Sequence, residues 1–303
     1  MWQPEPGWHP MPGGTGTSTV GVWRASLGEQ AVVIKRLAVP AHFDPPELSD
    51  PRHFAYWRRE ADVAAYGLLD GAPGVTLTPT EVQEDGEGIT LISEWVEDAA
   101  NAGLFVMHAL GRFAGADLAH VRWLARNQLR DRLGRVERRG GWATLERTTV
   151  ADVAHELWRR REAFLDELDA LPQVAQHGDP TPANLPGRDG DLLVALDWAC
   201  LGYGAAGADL GLYLLPAREE FEPLLDAYLL GLPDGLATRE QVTRAAQITS
   251  VYTALTRAEW ALARVAGGEG ALVSKFRHPA VAPHLRALQR QFAAIEALLE
   301  SGT

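Results

Sequence analysis

The sequence changes character near residue 98, and this change limits the folds that the chain can adopt. Before it, short runs rich in β-branched and apolar residues are separated by turn residues, a pattern typical of strands. The predicted strands are Val20–Ala25, Ala31–Leu37, Val75–Glu81 and Gly88–Val96, with one helix predicted at Phe54–Leu69. After it, apolar residues recur at helical spacing. The predicted helices are Leu104–Leu118, His120–Arg138, Val150–Leu171, Glu219–Leu230, Arg239–Val265 and Ala282–Leu299.

These two patterns together predict an α+β protein with two lobes. We expect a β-rich N-terminal lobe at residues 1–97 and a helical C-terminal lobe at residues 98–303. The joint between them is predicted near Ser93–Asp98, and the functional cleft between the lobes. A proline-rich segment, Pro40–Pro51, precedes the first helix and receives no function from the sequence.

The charge balance excludes a protein that primarily binds nucleic acid. The 303 residues include 28 Lys and Arg against 40 Asp and Glu, a net charge of −12, whereas phosphate contacts need surplus positive charge. The longest apolar tract, Leu192–Leu215, contains Asp197 and Asp209, so we do not expect a membrane span. The N-terminus lacks a basic start followed by an apolar segment, and the chain has one cysteine, Cys200. We therefore expect a cytoplasmic protein; the sequence gives no indication of oligomeric state.

The most informative segment runs from His177 to Trp198. It supplies two carboxylates and an amide, Asp179, Asn184 and Asp197, from turns beside a short apolar strand. Mg²⁺ takes oxygen ligands, usually one or two carboxylates together with substrate phosphates, and a remaining carboxylate can orient an attacking hydroxyl. Asp and Asn are also common turn residues for backbone reasons, which explains any one of them alone. The set at this spacing favours a magnesium–phosphate site.

A second pair of residues lies upstream. Lys35 ends an apolar β run in a chain with only two lysines, and a compact ammonium suits a point contact with phosphate oxygens. A buried positive charge needs a partner, and Glu60 borders the apolar face of the predicted helix. The alternative is an ordinary lysine at a strand edge and a solvated glutamate.

A glycine- and threonine-rich loop, Gly13–Thr19, precedes the first strand. Glycines allow backbone to approach a polyphosphate, and Thr17 or Ser18 can donate N–H and O–H groups to it. A flexible leader is the usual explanation of such a loop, and its position before two strands and Lys35 is what favours a phosphate-binding role. It does not match the P-loop pattern, which disfavours that class of NTPase.

The order of these elements is that of the protein-kinase signature: glycine loop, strand lysine, helix glutamate, Asp-x4-Asn, then Asp. In detail the chain resembles the aminoglycoside phosphotransferase and choline kinase family. His177-Gly178-Asp179 followed by Asn184 is similar to that family's catalytic loop, and Leu196-Asp197-Trp198 to its metal motif. Gly207-Ala208-Asp209-Leu210 resembles its recurrent Asp-Leu-Ala segment. The resemblance implies a two-lobed protein-kinase-like fold.

The resemblance also implies a role for each matching residue. Lys35 would contact the α- and β-phosphates of ATP or GTP and pair with Glu60, and Asp179 would orient and deprotonate the acceptor hydroxyl. Asn184 and Asp197 would hold Mg²⁺. The backbone of Glu94–Val96 would bind adenine, with His177 and Asp209 as structural support.

Three functions remain open at this point. The first is a kinase for a small soluble acceptor, such as an aminoglycoside or another hydroxylated amine or metabolite. The second is an inactive, nucleotide-binding scaffold of the same fold, although such relatives usually lose the lysine or one of the aspartates. The third is a metal-dependent hydrolase that uses Asp179, Asp197 and His177, which leaves Lys35 and the glycine loop unexplained.

Overall fold

The structure, a computed structural model, describes residues 2–12, 16, 18–139, 151–266 and 277–301. The chain forms two compact units, each assembled from several segments. The first contains residues 1–126, 174–203 and 219–236, and the second contains residues 127–173, 204–218 and 237–303. The lobe boundary expected at residue 97 stays a prediction.

The described strands are concentrated in the N-terminal third of the chain. In chain order they are β1 (His9–Pro10), β2 (Thr19–Leu27), β3 (Gln30–Ala38), β4 (Val75–Thr76), β5 (Thr80–Asp85), β6 (Gly88–Glu94), β7 (Gln173–Gln176), β8 (Gly187–Asp189), β9 (Leu192–Val194) and β10 (Gly202–Ala205). The predicted strand Val75–Glu81 is therefore two strands, because Pro79 cannot donate to a ladder and interrupts it.

Helices dominate the rest of the described chain. They are α1 (Arg59–Ala65), α2 (Gly103–Phe113), α3 (Gln128–Arg138), α4 (Ala151–Ala170), α5 (Ala208–Tyr213), α6 (Phe221–Gly231), α7 (Arg239–Ala266), α8 (Ala282–Arg290) and α9 (Phe292–Ser301). A β-sheet N-terminal region followed by a helical C-terminal region confirms the predicted α+β class. No helix of the described residues combines the length and the apolar character that crossing a membrane requires.

The first unit is built on a five-stranded sheet of order β1-β2-β3-β6-β5. Strands β2 and β3 pair as an antiparallel hairpin, and Gly28 supplies the left-handed turn conformation with φ 63°. Side chains alternate between the two faces of β3. On one face Leu37 packs with Ala61 of α1, whereas on the other, which we call the outer face, Ile34 packs near Trp8.

Lys35 therefore lies on the α1 face of β3, and Arg36 lies on the outer face. The register places Lys35 opposite Leu91 in β6, a buried position in the middle of the sheet. Helix α1 contacts this face through Ala61, directly after Glu60. Strand alternation and helix periodicity thus bring Lys35 and Glu60 to the same side of the sheet.

Helix α1 is shorter than the predicted Phe54–Leu69. Its start is delayed because the Phe54 carbonyl accepts a hydrogen bond from the Arg59 side chain, and the Trp57 N–H donates to the Leu48 carbonyl at 3.0 Å. Both groups are therefore occupied outside a helical ladder. The helix ends before Gly67, whose φ of 55° is left-handed.

The remaining helices of the first unit are α2 and α6. The N–H of Gly103, at the start of α2, donates to a Glu219 side-chain oxygen at 2.9 Å. A carboxylate at this end also complements the helix dipole. In the second unit, α7 forms the centre of the core, where Tyr252 and Leu255 pack with Leu157 and Phe164 of α4.

Candidate active site

The centre of the site is Lys35, which bridges two carboxylates of the first unit. Its Nζ lies 2.6 Å from Oε2 of Glu60 and 2.9 Å from Oδ1 of Asp197. The Lys35 and Glu60 side chains are 15% and 17% exposed, whereas Asp197 is 43% exposed. One ammonium group therefore joins β3, α1 and the segment after β9, and Asp197 is the member that solvent and ligands reach most easily.

The charges of this cluster shift the pKa of each member. Burial alone would lower the pKa of Lys35, but Glu60 and Asp197 outweigh burial and raise it above its ordinary value. Burial also opposes ionisation of Asp197, yet the neighbouring Lys35 ammonium keeps the pKa of Asp197 below its ordinary value. The pKa of Glu60 is raised, because its burial outweighs the effect of Lys35. At neutral pH Lys35 is thus an ammonium and Asp197 a carboxylate.

His177 connects the predicted catalytic loop to the segment that carries Asp197. Its side chain is fully buried, and Nδ1 accepts the backbone N–H of Asp179 at 3.2 Å. Its Nε2 lies 2.9 Å from the Leu196 carbonyl, which can only accept, so Nε2 carries the hydrogen and the ring is neutral. The imidazole also packs against the indole of Trp198, with ring centroids 4.5 Å apart. His177 therefore fixes the backbone on both sides of the predicted reaction centre.

Asn184 and Asp197 carry side-chain oxygens of the kind that Mg²⁺ prefers. The Asn184 Nδ2 donates to the Asp179 carbonyl at 3.0 Å, so the remaining polar atom of the side chain is the oxygen Oδ1. The Leu196 N–H donates to the Asn184 carbonyl at 2.7 Å, which holds the turn of Asn184 against the residue before Asp197. Asp197 itself is left-handed, with φ 57° and ψ 59°, a conformation that non-glycine residues adopt rarely and often at functional sites. An amide oxygen and a carboxylate held on adjacent segments fit a magnesium ion.

The predicted glycine loop lies between β1 and β2, which pair as an antiparallel hairpin. Gly13–Thr15 and Thr17, one of the two predicted phosphate-binding residues, lie outside the described residues. Ser18 is described: its carbonyl accepts the Ala38 N–H at 2.8 Å. Its hydroxyl is buried and has no hydrogen-bond partner within the described part of the chain. The phosphate contact assigned to Ser18 stays a prediction.

The joint segment, Glu94–Val96, follows the end of β6. The N–H of Glu94 donates to Pro79 at 3.1 Å, and the N–H of Trp95 donates to Ala31 at 3.0 Å. The N–H of Val96 has no acceptor among the residues described here. In this segment, whose backbone is predicted to bind adenine, the N–H of Val96 is therefore the described backbone donor that remains for a ligand.

A separate cavity of about 420 Å³ lies against the joint. It is lined by residues 76–79, 95–99 and 187–189 together with Val194. Lys35, Glu60 and Asp197 do not line it, so this cavity is distinct from the charged cluster.

The sequence-based reasoning missed Arg59. This side chain is fully buried and donates to backbone carbonyls, including that of Ala199, two residues after Asp197. The sequence gives little sign of it, because an arginine next to Glu60 resembles an ordinary solvated helix residue. Asp209, the other predicted support residue, is buried in the first turn of α5. The structural support of the site that the resemblance implies for Asp209 stays a prediction.

The fold is shared with solved structures of small-molecule kinases. A choline/ethanolamine kinase family protein from Mesorhizobium loti has a TM-score of 0.57 and 17% identity, covering 95% of this chain and 92% of that chain. Choline kinase from Cryptosporidium parvum has a TM-score of 0.61 and 12% identity, covering 99% and 92%. Spectinomycin phosphotransferase, solved with ADP and spectinomycin, has a TM-score of 0.59 and 10% identity, covering 95% and 91%. These similarities confirm the predicted protein-kinase-like fold.

Sequence comparison adds the family. No curated protein matches the chain by sequence. A family model described as the phosphotransferase enzyme family matches residues 19–243, well over half of the chain. The matched range contains Lys35, Glu60, the loop from His177 to Asn184, and Asp197. By this match, and in agreement with the geometry of these residues, the chain belongs to the phosphotransferase enzyme family.

Proposed function

We propose that this protein is a magnesium-dependent kinase that transfers the γ-phosphoryl group of ATP to a hydroxyl group of a small soluble acceptor. The observation that carries the proposal is the bridge of Lys35 to Glu60 and Asp197, beside a catalytic loop that retains Asp179 and Asn184. Inactive relatives usually lose one of these groups. The complete set therefore favours turnover over the alternative, an inactive nucleotide-binding scaffold of the same fold.

In the proposed reaction the oxygen of the acceptor hydroxyl bonds to the γ-phosphorus. The bond between that phosphorus and the bridging β–γ oxygen breaks, and ADP leaves with the electron pair. The proton of the hydroxyl passes to the Asp179 carboxylate, whose backbone is held by His177 and Asn184. Because phosphoryl transfer requires mainly positioning and charge neutralisation, a few rigidly held residues can supply most of the catalysis.

Two parts of the first unit would bind the nucleotide: one binds the phosphates with Mg²⁺, and the other binds the base. Lys35 neutralises the α- and β-phosphates, while Glu60 holds the ammonium in place. Asn184 Oδ1 and Asp197 would hold Mg²⁺, which when bound neutralises charge on the phosphate oxygens. At the joint, the Val96 N–H and the Glu94 carbonyl are proposed to bind the base, whether adenine or guanine. Ser18, in the glycine- and threonine-rich loop, adds a buried hydroxyl.

For the acceptor we propose a hydroxylated amine, aminoglycoside-like or a smaller metabolite. The net charge of −12 favours attraction of a cation over a further anion. One feature of the sequence favours an anionic acceptor instead: arginines recur every fourth residue at 122, 126 and 130. Arg130 instead pairs with the carboxylates of Glu162, Asp166 and Asp169. An acidic group in and just before α6 could hold a cationic acceptor: Glu219, Glu220, Glu222 and Asp226. Of these, Glu219 accepts the N–H of Gly103 at the start of α2.

The experiment that tests the proposal is a screen for ADP production. Purified protein with Mg²⁺ and ATP is incubated with a panel of aminoglycosides, amino alcohols, homoserine, sugars and anionic hydroxyl compounds. We expect at least one hydroxylated amine to stimulate ADP release, and the phosphorylated product to be heavier by one phosphoryl group. ADP release that no acceptor stimulates would favour a hydrolase, and nucleotide binding with no release would favour the scaffold.

A further inference from the structure

Arg59 is a fully buried cation whose hydrogen-bonding capacity is completely used. A guanidinium carries five N–H donors, and each of the five is matched by a backbone carbonyl. Nε donates to Trp123 at 3.1 Å. The two terminal nitrogens donate to Phe54 at 3.1 Å, Ala199 at 2.8 Å, Pro51 at 2.7 Å and His53 at 2.8 Å. All of these residues belong to the first unit.

The position of Arg59 connects it to the site from two directions. It directly precedes Glu60 in the first turn of α1. It also fixes the carbonyl of Ala199, in the short turn Trp198–Cys200 that begins immediately after Asp197. Glu60 and Asp197 are the two carboxylates that share the Lys35 ammonium. One side chain therefore fastens together the two elements that carry the partners of Lys35.

We propose that Arg59 is a positioning residue that holds Glu60 and Asp197 on Lys35 in the absence of ligand. This inference rests on the proposed kinase function, since it explains how the site is assembled before the nucleotide binds. The five carbonyls that accept the Arg59 N–H groups form a cradle around its guanidinium, and three of them come from Pro51, His53 and Phe54. The end of the proline-rich segment, which has no function in the sequence analysis, thereby supplies part of the anchor for α1.

The chemistry of the cradle requires a guanidinium. Burial of a cation is costly unless its donors are satisfied, and a fully matched fork meets that condition. A lysine has three donors and could not reach five carbonyls arranged around a plane. Glutamine or lysine at this position would leave several carbonyls without their donor. The carbonyls of Ala199 and of residues 51–54 would then be free to separate.

The test compares Arg59→Gln with a matched control, Arg36→Gln. Arg36 is also buried, in the same unit, but it lies on the outer face and bonds Asp85 and Thr90. We expect both substitutions to lower the Tm. Only Arg59→Gln should lower kcat for phosphoryl transfer, on the order of 10²-fold, because small misplacements of reacting groups have effects of this size. If Arg59→Gln does not fold, Arg59→Lys is compared with Arg36→Lys in the same way.

A second readout needs no turnover. The chain has only two lysines, Lys35 and Lys275, so ¹⁵N-lysine labelling gives two side-chain ammonium signals. A Lys35→Arg variant assigns the first signal. We expect the Lys35 signal to be unchanged by Arg36→Gln and to shift or broaden with Arg59→Gln, since its two carboxylates would no longer be held. An unchanged Lys35 signal in folded Arg59→Gln protein would overturn the proposal.

Coupling to Glu60 separates positioning from general stability. If Arg59 acts through Glu60 and Asp197, the loss of kcat in the double variant Arg59→Gln/Glu60→Gln is smaller than the product of the two single losses. A loss equal to that product would overturn the positioning role. If the wild-type protein turns over and Arg59→Gln and Arg36→Gln have the same kcat, the positioning role is also overturned, while the kinase function stands. A wild-type protein without turnover, whose Lys35 signal nevertheless depends on Arg59, would refute the kinase function and retain the anchor.

Discussion

Lys35 and Arg36 are neighbours in one strand, yet the regions around them differ in how their charges are satisfied. On the α1 face, Lys35 shares its ammonium between Glu60 and Asp197, and Asp197 remains 43% exposed. On the outer face, Arg36 forms a paired contact with both oxygens of Asp85, bonds Thr90 and lies beneath the ring of Trp2. Indole rings of Trp2, Trp8 and Trp23 cluster on the same face.

The difference shows how similar buried cations can serve different purposes. The Arg36 fork is matched geometrically by a carboxylate and covered by aromatic rings, so no ligand is needed to complete it. The Lys35 ammonium instead pairs with two carboxylates on separate elements. One of them, Asp197, is exposed enough to accept further bonds from a ligand. On the α1 face, Lys35 can therefore exchange a carboxylate partner for the phosphate oxygens of a ligand. On the outer face, the contacts of Arg36 stabilise the sheet. Substitutions in the two regions should separate activity from stability.

The largest expected effect is on turnover, from Asp179→Asn in the site region. Removing the carboxylate that accepts the proton should lower kcat by about 10²-fold or more, with little change in ATP affinity. Coupled measurement of ADP release with a saturating acceptor tests this. The matched control is Asp85→Asn on the outer face, which should leave kcat near the wild-type value. An Asp179→Asn enzyme with most of its activity would remove Asp179 from the catalytic role.

Replacing each of these two cationic residues by the other type should sharpen the comparison further. Lys35→Arg keeps the charge but replaces a point donor with a planar fork, and we expect kcat/KM for ATP to fall on the order of 10-fold or more. Arg36→Lys should leave the kinetics unchanged. It should instead destabilise the fold by about 1–3 kcal/mol, because hydrogen bonds to Asp85 and Thr90 are lost.

Steady-state kinetics and thermal unfolding of both variants provide the measurement. A kinetic defect in Arg36→Lys, or wild-type kinetics in Lys35→Arg, would contradict the assignment of the two regions.

Ligand stabilisation should also depend on the site region. A nucleotide present at about 100 times its Kd stabilises a protein by about 2.7 kcal/mol. We expect ATP to raise the Tm by several degrees with Mg²⁺ and by less than half as much with EDTA. Asp197→Asn should abolish the difference between the two conditions, whereas Asp85→Asn should preserve it. Equal shifts with and without Mg²⁺ in the wild-type protein would argue against the metal ligands proposed.

The smallest expected effect is on acid stability, and it belongs to the outer face. The Arg36 side chain, with backbone N–H groups of the turn, lowers the pKa of Asp85 from 3.8 to about 2. A lowered pKa in the folded state means that the stabilisation is complete above pH 3.8 and is lost as the pH falls toward 2. Urea unfolding of wild-type and Asp85→Asn protein across this range should show curves that converge at the acidic end. Parallel curves would show that the ion pair does not respond to pH.

The sequence was sufficient to predict much of the site region because simple periodicities determine it. Alternation in β3 places Lys35 on the α1 face, and helical spacing turns Glu60 toward the apolar side of α1, so their pairing follows from local rules. The spacing of Asp179, Asn184 and Asp197 predicts a magnesium–phosphate site, and the roles of these residues stay predictions. In both cases the prediction depends on the residue types and their spacing, which the sequence gives directly.

Other features could not be predicted because their partners are backbone atoms or distant segments. The acceptors of Arg59 are carbonyls, which every residue possesses, so no residue pattern marks them. The same bonds delay the start of α1, which the apolar spacing placed at Phe54. The predicted helix Ala282–Leu299 is divided at Gln291, and apolar spacing continues across that break. Periodicity reports which residues face a core and carries little information on where a helix ends.

The first unit is discontinuous in sequence, and this has a consequence for its synthesis. Lys35 and Glu60 leave the ribosome long before Asp197, which is 162 residues after Lys35 in the chain. Glu219, which receives the first N–H of α2, follows Gly103 by 116 residues. Contacts between residues so far apart in sequence form late, and they make folding slower. The N-terminal sheet is therefore synthesised long before Asp197 can complete the contacts of Lys35, and the charged cluster is assembled late.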